Sequence, residues 1–297
     1  MNEIVECVPN ISEGRNQDII NQVVEKLKKT GVKVLDVSSD SDHNRTVITF
    51  VGDKKSVVVG AFAVAESAVN LIDLRHHKGT HPRMGAVDVI PFIPISGATM
   101  DDCIELSKIL GKRIGEELKV PVYLYAESAT KEERKSLPAI RKGEFEGFFE
   151  KIKDPNWFPD FGPVEVHPTA GVVAVGAREF LIAYNIYLNT KDVTIAEKIA
   201  KSIRESSGGL RFIQAKGMFI EERGCTQVSM NILNYKKAPL YRVFEIVKME
   251  AERYGVEVLQ SELVGLMPVR AVLESLSFYL RFPKLTSESI IETRIYE

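Results

Sequence analysis

The sequence predicts an α+β fold made of two βαββαβ units, the first of them enlarged. The first observation is that strand-like and helix-like hydrophobic patterns follow one another as β-α-β-β-α-β over residues 180–260. The second is that the first half of the chain shows a similar order, although no strong sequence identity relates the two halves. This order is the split βαβ arrangement of ferredoxin-like domains. We therefore expect two domains, at residues 1–177 and 178–297.

The elements of the first unit are predicted from hydrophobic spacing. Ile20, Val24 and Leu27 recur at the spacing that places side chains on one face of a helix. The predicted strands are 3–9, 33–37, 45–52 and 87–93, and the predicted helices are 16–29 and 55–71. The enlargement is predicted as a helix at 102–118 and a strand at 121–126.

The second unit shows clearer patterns. Ile195, Ile199 and Ile203 recur every four positions and share one helical face. Val228 and Met230 alternate with polar residues, which is typical of a half-buried strand. The predicted strands are 180–188, 211–221, 225–233 and 256–260, and the predicted helices are 191–206 and 239–253.

The segment 154–178 between the two units is predicted to be irregular, because it contains four prolines and several glycines. A long irregular segment inside a compact protein is often a binding loop. A plain interdomain linker is the alternative. The aromatic residues and the histidine in this segment favour binding.

Composition excludes several classes of protein. The chain has 297 residues, 44% of them hydrophobic, and a formal net charge of -2, so neither a basic face for nucleic acid nor disorder is indicated. No apolar run of about eighteen residues predicts a membrane span, and the N-terminus lacks the pattern of a signal peptide. Cys7, Cys103 and Cys225 are isolated from one another, which favours a reducing cytoplasm over a disulfide framework.

A cluster of histidines is the strongest candidate for chemistry. Three of the five histidines of the chain, His76, His77 and His81, fall within six residues. Gly79 and Pro82 interrupt any helix here, so the cluster is predicted to lie on a loop that leads into a strand. Such loops often carry functional residues.

Three interpretations of this cluster are open from the residues alone. His77 and His81 have the i, i+4 spacing of HExxH zinc sites, but no helix and no correctly placed glutamate accompany them, so no metal is expected. Histidine titrates near neutral pH and suits acid/base catalysis, with Lys78 and Arg83 nearby to bind an anionic substrate. The third interpretation is a solvated loop without function.

A second polar group precedes the strand predicted at 45–52. Asp42, His43, Asn44 and Arg45 follow one another there. Asp and Asn favour turns, so this group is either turn chemistry or one wall of a substrate site.

Several motifs together resemble one family, the glutamate formiminotransferases. The resemblance covers almost the whole chain in the right order, and its HKGxHPRMGAxD stretch is highly specific. The motifs are ECVPNISEG (6–14), HNRTVITFVG (43–52), HKGTHPRMGAVDVIPFIP (77–94), VPVYLYAE (120–127), LPAIRKGEFE (137–146), PDFGP (159–163), FLIAYNI (180–186) and LVGLMP (263–268).

The resemblance implies an activity and a set of residues. The family transfers the formimino group of N-formimino-L-glutamate to N5 of tetrahydrofolate, a co-substrate rather than a bound cofactor, in histidine degradation. The histidine before Pro-Arg-Met-Gly is catalytic in the family and corresponds to His81. Members are dimers with two ferredoxin-like subdomains. The folate-binding segment of the family falls on Gly162, Pro163, Val164, Glu165, Val166, His167, Pro168, Thr169, Ala170 and Gly171.

The sequence also departs from the animal members of this family. Those bifunctional proteins continue into a cyclodeaminase domain, whereas this sequence ends at Glu297, so a separate cyclodeaminase is expected. The segment GPVEVHPTAG lacks the tryptophan of the animal version. An aspartate near Ser38 is also missing, and Asp40 and Asp42 are the candidates to replace it.

A mechanism follows as an expectation. N5 attacks the formimino carbon and glutamate leaves as the amine, so one base and one acid are needed, and His81 is assigned both roles. Arg45, Lys78 and Arg83 are candidates for the glutamate carboxylates by charge alone. The alternatives are a related activity on 5-formyltetrahydrofolate and a non-catalytic folate-binding protein.

Overall fold

A computed structural model describes residues 3–296, with the side chain of residue 296 excepted. The chain divides into two units, Met1–Glu179 and Phe180–Glu297. Each unit combines one sheet with helices, and the α+β class predicted from the sequence is confirmed.

The first unit is built on a mixed sheet. Its strands are β1 (Ile4–Cys7), β2 (Asn10–Ile11), β3 (Lys33–Asp40), β4 (Arg45–Gly52), β5 (Val87–Ser96), β6 (Val122–Ala126) and β7 (Val173–Ala177). Its helices are α1 (Gln17–Lys28), α2 (Lys54–Leu71), α3 (Met100–Arg113), α4 (Leu137–Arg141) and α5 (Glu144–Lys151).

Strand pairing shows how this unit is enlarged. The short strands β1 and β2 both lie between β4 and β5 and are antiparallel to them, and β3 pairs with the other edge of β4. If β1 and β2 are counted as one interrupted strand, this is the four-stranded order of a ferredoxin-like unit. Strand β7 then adds to β5 in parallel, and β6 adds to β7 in parallel. The predicted enlargement is therefore confirmed, but it contains one strand more than expected.

Strand β7 corrects the prediction that residues 154–178 are irregular throughout. All five residues of Val173–Ala177 are buried. A strand buried on both faces has a continuous apolar sequence without alternation. This run is also short and rich in small residues, so it shows no hydrophobic period. The part of the segment before Val173 consists of loops and one short 3₁₀ turn.

The helices of the first unit begin where the sequence supplies caps. The Asn16 side chain accepts hydrogen bonds from the backbone N–H groups of Asp18 and Ile19 at the start of α1. Asp53 caps α2 in the same way, and Thr99 caps α3 in a capping box with Asp102. The helix predicted at 102–118 ends as an α-helix at Arg113 and continues as a π-helical turn over Ile114–Leu118.

The second unit has the predicted βαββαβ order. Its strands are β8 (Ile182–Leu188), β9 (Ile213–Ile220), β10 (Cys225–Ile232) and β11 (Val258–Val264), and its helices are α6 (Val193–Ile203), α7 (Leu240–Arg253), α8 (Val269–Leu280) and α9 (Ile291–Tyr296). The antiparallel sheet has the order β11-β8-β10-β9. Ile199, Ile203, Val243 and Val247 from α6 and α7 belong to its buried core.

One prediction for the second unit was wrong in detail, and one helix was not predicted. The last strand was expected at 256–260 but runs over Val258–Val264. It is an edge strand whose residues are mostly exposed, so apolar and polar residues hardly alternate in its sequence. Helix α8 was not predicted.

Among the described residues, no helix is long and apolar enough to cross a membrane.

Candidate active site

The loop that carries His81 joins α2 to β5 and is tied down at several points. Backbone hydrogen bonds connect Leu74 N to Thr169 O (2.9 Å) and Thr80 N to Asp42 O (3.0 Å). A Cβ added at Gly79 would lie 2.3 Å from the His43 carbonyl oxygen, so only glycine allows this close approach. The loop is therefore held against the turn between β3 and β4.

His81 stands apart from the other histidines of the cluster. Its Nε2 is buried and has no hydrogen-bond partner among the described residues. The buried Nδ1 of His77 likewise has no partner there, but the Nε2 of His77 lies 2.9 Å from the Asn44 carbonyl oxygen. The side chain of His76 is 81% exposed. His81 thus combines partial burial with an unused nitrogen.

His43 lies beside His81, with 6.2 Å between the two ring centroids. Its Nδ1 is 2.9 Å from the Asp40 carboxylate. Asp40 also accepts hydrogen bonds from the backbone N–H groups of Asp42 and His43, which builds the turn before β4. The polar group at 42–45 therefore serves as turn chemistry and also lies next to His81.

The environment of His81 strongly favours its neutral form. Burial is the largest cause, and the charges of Arg45 and Arg141 follow; together with His43 and His77 they lower the pKa of His81 to about 2. At neutral pH the imidazole is therefore uncharged and has one lone pair available to accept a proton. The ring can therefore accept a proton, but so low a pKa makes it a weak base until the positive charge around it is offset.

Arg45 begins β4 and contributes positive charge to the site. Its Nε is buried without a hydrogen-bond partner among residues 3–296. Burial and the charge of Arg141 lower its pKa to about 10, while Asp88 and Asp40 raise it. The guanidinium stays charged near neutral pH, so it is a free cation for an anionic ligand.

Asp88 and Arg141 form a buried ion pair that the sequence reasoning did not single out. The Arg141 Nε donates to Asp88 Oδ2 at 2.8 Å, and Nη2 donates to the same oxygen. Asp88 Oδ1 accepts from the Met84 backbone N–H at 2.9 Å. The pair therefore connects α4 to the loop that carries His81. Its only signal in the sequence was that both residues lie inside family motifs.

The other two predicted carboxylate-binding residues are placed differently. Arg83 is 8% exposed, and its guanidinium donates to Glu144 at 3.0 Å and to Glu146 at 2.6 Å. Lys78 is exposed, and its backbone carbonyl accepts from the Asn44 amide at 3.1 Å. Arg83 also keeps an unpartnered buried Nε, but of the three candidates Arg45 is the one whose charge acts on His81.

The predicted folate-binding segment, 162–171, is a loop packed along the His81 loop. Its last turn is closed by backbone hydrogen bonds in both directions between His167 and Gly171. The His167 Nδ1 accepts from the Ala170 N–H at 3.0 Å. Ala170 O in turn accepts from Ala86 N at 2.9 Å. His167 therefore shapes the turn, and burial lowers its pKa.

Gly171 is the position where this loop tolerates least change. Its φ is +69°, and an added Cβ would lie 2.2 Å from the Met84 carbonyl oxygen. We expect Gly171→Ala to lower the free energy of unfolding by at least about 1–2 kcal/mol from the backbone conformation alone. Chemical denaturation measures this change. The control is Gly147→Ala, where no atom lies within 4 Å of the added Cβ; equal effects of the two variants would contradict the expectation.

The described residues contain no group of three or more His, Cys, Asp or Glu side chains placed to hold a metal ion. His77 and His81, whose spacing suggested a zinc motif, lie on a loop and not on a helix.

Comparison with known proteins covers both units. Residues 4–178 match the family model for the formiminotransferase domain, N-terminal subdomain, and residues 183–295 match the model for the formiminotransferase domain. A glutamate formimidoyltransferase of Streptococcus pyogenes serotype M1 is 49% identical over 282 residues, which are 95% of this chain and 94% of that protein. The glutamate formimidoyltransferase of Thermoplasma acidophilum is 46% identical over 98% of this chain and 97% of that protein. The formimidoyltransferase-cyclodeaminase of Rattus norvegicus is 46% identical over 96% of this chain but only 54% of its own length.

Proposed function

The chain belongs to the formiminotransferase family, and from this membership we propose that it transfers the formimino group of N-formimino-L-glutamate to N5 of tetrahydrofolate. The products are 5-formiminotetrahydrofolate and L-glutamate. Tetrahydrofolate acts as a co-substrate. The observation that carries the proposal is that two relatives named for this activity match the chain over nearly their whole length.

His81 is proposed as the general acid/base. N5 of tetrahydrofolate attacks the formimino carbon and gives a tetrahedral intermediate. His81 accepts the proton that N5 loses and passes it to the glutamate nitrogen as the bond from carbon to that nitrogen breaks. The neutral state of His81 and its unpartnered Nε2 support the first of these steps.

The segment 162–171 is proposed to bind tetrahydrofolate. Its last turn is hydrogen-bonded to the His81 loop through Thr169 and Ala170, whose carbonyl oxygens accept from Leu74 and Ala86. Part of a ligand bound along this segment would therefore lie close to the loop that carries His81. This adjacency supports the assignment, because a positioned pair of reactants reacts much faster than a free pair.

Arg45 is the preferred candidate for a glutamate carboxylate. The buried Nε atoms of Arg45 and Arg83 both lack a partner among the described residues, but the other two nitrogens of Arg83 already bind Glu144 and Glu146. Lys78 remains a candidate by charge and exposure alone. A charged group without a counter-ion is the better receptor for a carboxylate, because no existing ion pair must be broken first.

Arg45→Met and Arg83→Met should therefore have different effects. Removing one charge-assisted hydrogen bond costs about 1.5–3 kcal/mol, so Arg45→Met is expected to raise the KM for formiminoglutamate by roughly ten- to a hundredfold. Arg83→Met is expected to lower the thermal stability and leave this KM nearly unchanged. Steady-state kinetics and thermal unfolding of both variants check this, and an increase of KM for Arg83→Met alone would reverse the assignment.

A transfer assay tests the proposed function directly. The purified protein is given formiminoglutamate and tetrahydrofolate, and release of L-glutamate is measured. Replacing formiminoglutamate by 5-formyltetrahydrofolate in a parallel assay separates the related one-carbon activity. Folate binding without turnover of either substrate would instead support a non-catalytic folate-binding protein.

We further propose that the protein is a homodimer in the cytoplasm and acts beside a separate cyclodeaminase. Exposed apolar side chains on and after α8, among them Phe278, Leu280 and Phe282, support self-association. The three cysteines are free and buried, which fits a reducing compartment. The relatives whose length this chain nearly spans are named for formimidoyl transfer only. Sedimentation analysis tests the dimer.

A further inference from the structure

Two guanidinium groups lie near His81 in the first unit. Arg45 and Arg141 both lower the pKa of His81 through their charge, in addition to the larger effect of burial. They also act on each other, since the charge of Arg141 lowers the pKa of Arg45. Two cations whose charges act on each other in a partly buried place are stabilised by an anion.

The carboxylates nearby are already occupied. Asp88 accepts from Arg141 on one oxygen and from the Met84 N–H on the other. Asp40 faces the His43 ring and the N–H groups of its own turn. Both carboxylates still raise the pKa of Arg45 by their charge, but their hydrogen-bonding capacity is directed to other partners.

Two unpartnered nitrogens belong to neighbouring groups, since Arg45 is two residues from His43 and the His43 and His81 ring centroids are 6.2 Å apart. The buried Nε of Arg45 and the buried Nε2 of His81 both lack a hydrogen-bond partner among residues 3–296. Buried polar atoms are nearly always hydrogen-bonded, to protein, water or ligand. Arg141 uses Nε and Nη2 for Asp88, which leaves its Nη1 for a ligand.

We propose that Arg45 and Arg141 together bind one carboxylate of formiminoglutamate, which makes Arg141 a substrate-binding residue. The identity of the substrate rests on the proposed function, whereas the site itself requires only a carboxylate. Asp88 holds the Arg141 guanidinium in place through two of its nitrogens, so this arginine is positioned before the ligand arrives.

A carboxylate bound there also changes what His81 can do. The groups whose charges act on His81 are Arg45, Arg141, His43 and His77, and their positive charge disfavours the imidazolium. A bound carboxylate offsets this charge, so the pKa of His81 rises toward its ordinary value. In the free site His81 is therefore neutral. In the occupied site its raised pKa allows it to hold the proton until glutamate departs.

Binding of glutarate, a dicarboxylate that cannot react, tests the site without turnover. Calorimetry compares the wild type with Arg141→Met and with the double variant Arg141→Met/Asp88→Asn. The double variant leaves no unpaired carboxylate buried, so it serves as the test if the single variant folds poorly. Losing one charge-assisted contact is expected to weaken glutarate binding roughly ten- to a hundredfold. The neighbouring Lys142→Met, which removes the same charge from an exposed side chain, should bind glutarate as the wild type does.

Histidine NMR supplies a second measurement. The His81 ring signal, identified by its loss in His81→Asn, should not titrate between pH 5 and 8 in the free protein. Its midpoint should rise when glutarate is added, and this rise should be smaller in the double variant.

The site is overturned if the variants bind glutarate as tightly as the wild type, or if saturating glutarate leaves the His81 midpoint unchanged. Neither measurement requires formimino transfer. A protein that binds glutarate as described but transfers no formimino group would contradict the proposed function and leave the carboxylate site standing.

Discussion

Replacing His81 by asparagine is expected to lower kcat for formimino transfer by roughly 10²- to 10⁴-fold, the usual contribution of a positioned acid/base group. Asparagine keeps a polar side chain of similar reach but cannot exchange a proton at neutral pH. The KM values for both substrates should change little, because the proposed carboxylate contacts belong to Arg45 and Arg141. Steady-state kinetics with each substrate varied in turn give both quantities.

The matched control is His76→Asn. His76 lies in the same loop, five residues before His81, but its side chain is 81% exposed. The control should keep the activity of the wild type. If His81→Asn and His76→Asn turn over substrate equally well, His81 has no role in proton transfer and the base must be sought elsewhere in the site.

The resemblance to the family motif singled out His81 as the catalytic candidate, and this signal is local in the sequence. Glycine and proline near the histidines predicted a loop, and the loop is present. Arg45 was also a candidate, by charge alone. Both residues could be proposed because they lie in short motifs whose composition is unusual.

Arg141 and Asp88 could not be found in this way, because 53 residues separate them along the chain. Charge alone also made Arg83 a candidate, only two residues from His81, and the sequence did not show that the fold pairs it with two carboxylates. Its partners Glu144 and Glu146 are more than sixty residues away. A pairing set by tertiary structure leaves no local pattern, so only the fold distinguishes an occupied arginine from a free one.

Strand β7 illustrates the same limit for the fold. Its pairing with β5 and β6 is parallel and bridges long stretches of chain. The hydrophobic period that reveals amphipathic helices and half-buried strands is absent from a short strand buried on both sides. The βαββαβ order of the second unit, by contrast, was predictable because its helices are amphipathic and the sequence of β10 alternates apolar and polar residues.

A buried ion pair in the first unit anchors the chain just before the segment 162–171. Arg134 is 2% exposed, and its guanidinium donates to the Asp160 carboxylate at 2.7 Å. It also donates to the carbonyl oxygens of Asn156 and Phe158, at 3.0 and 2.6 Å. One arginine thus holds several consecutive turns of an otherwise irregular stretch.

Arg134→Met is therefore expected to lower the free energy of unfolding by about 3–5 kcal/mol, the usual cost of removing one partner of a buried ion pair. The loss arises because the Asp160 carboxylate, which also accepts from the Leu124 N–H, stays buried without its counter-ion. Urea denaturation followed by fluorescence measures it, since the single tryptophan, Trp157, lies in this stretch.

The neighbouring Lys135→Met is the matched control, because the Lys135–Glu132 pair is exposed on both sides (60% and 81%). Exposed pairs contribute at most about 1 kcal/mol, so this variant should unfold at nearly the urea concentration of the wild type. Arg134→Met/Asp160→Asn should recover part of the lost stability, because the double variant no longer buries an unpaired charge. If Arg134→Met is no more sensitive to urea than Lys135→Met, the ion pair does not anchor this stretch, and the order of the 162–171 loop must come from its hydrogen bonds to the His81 loop.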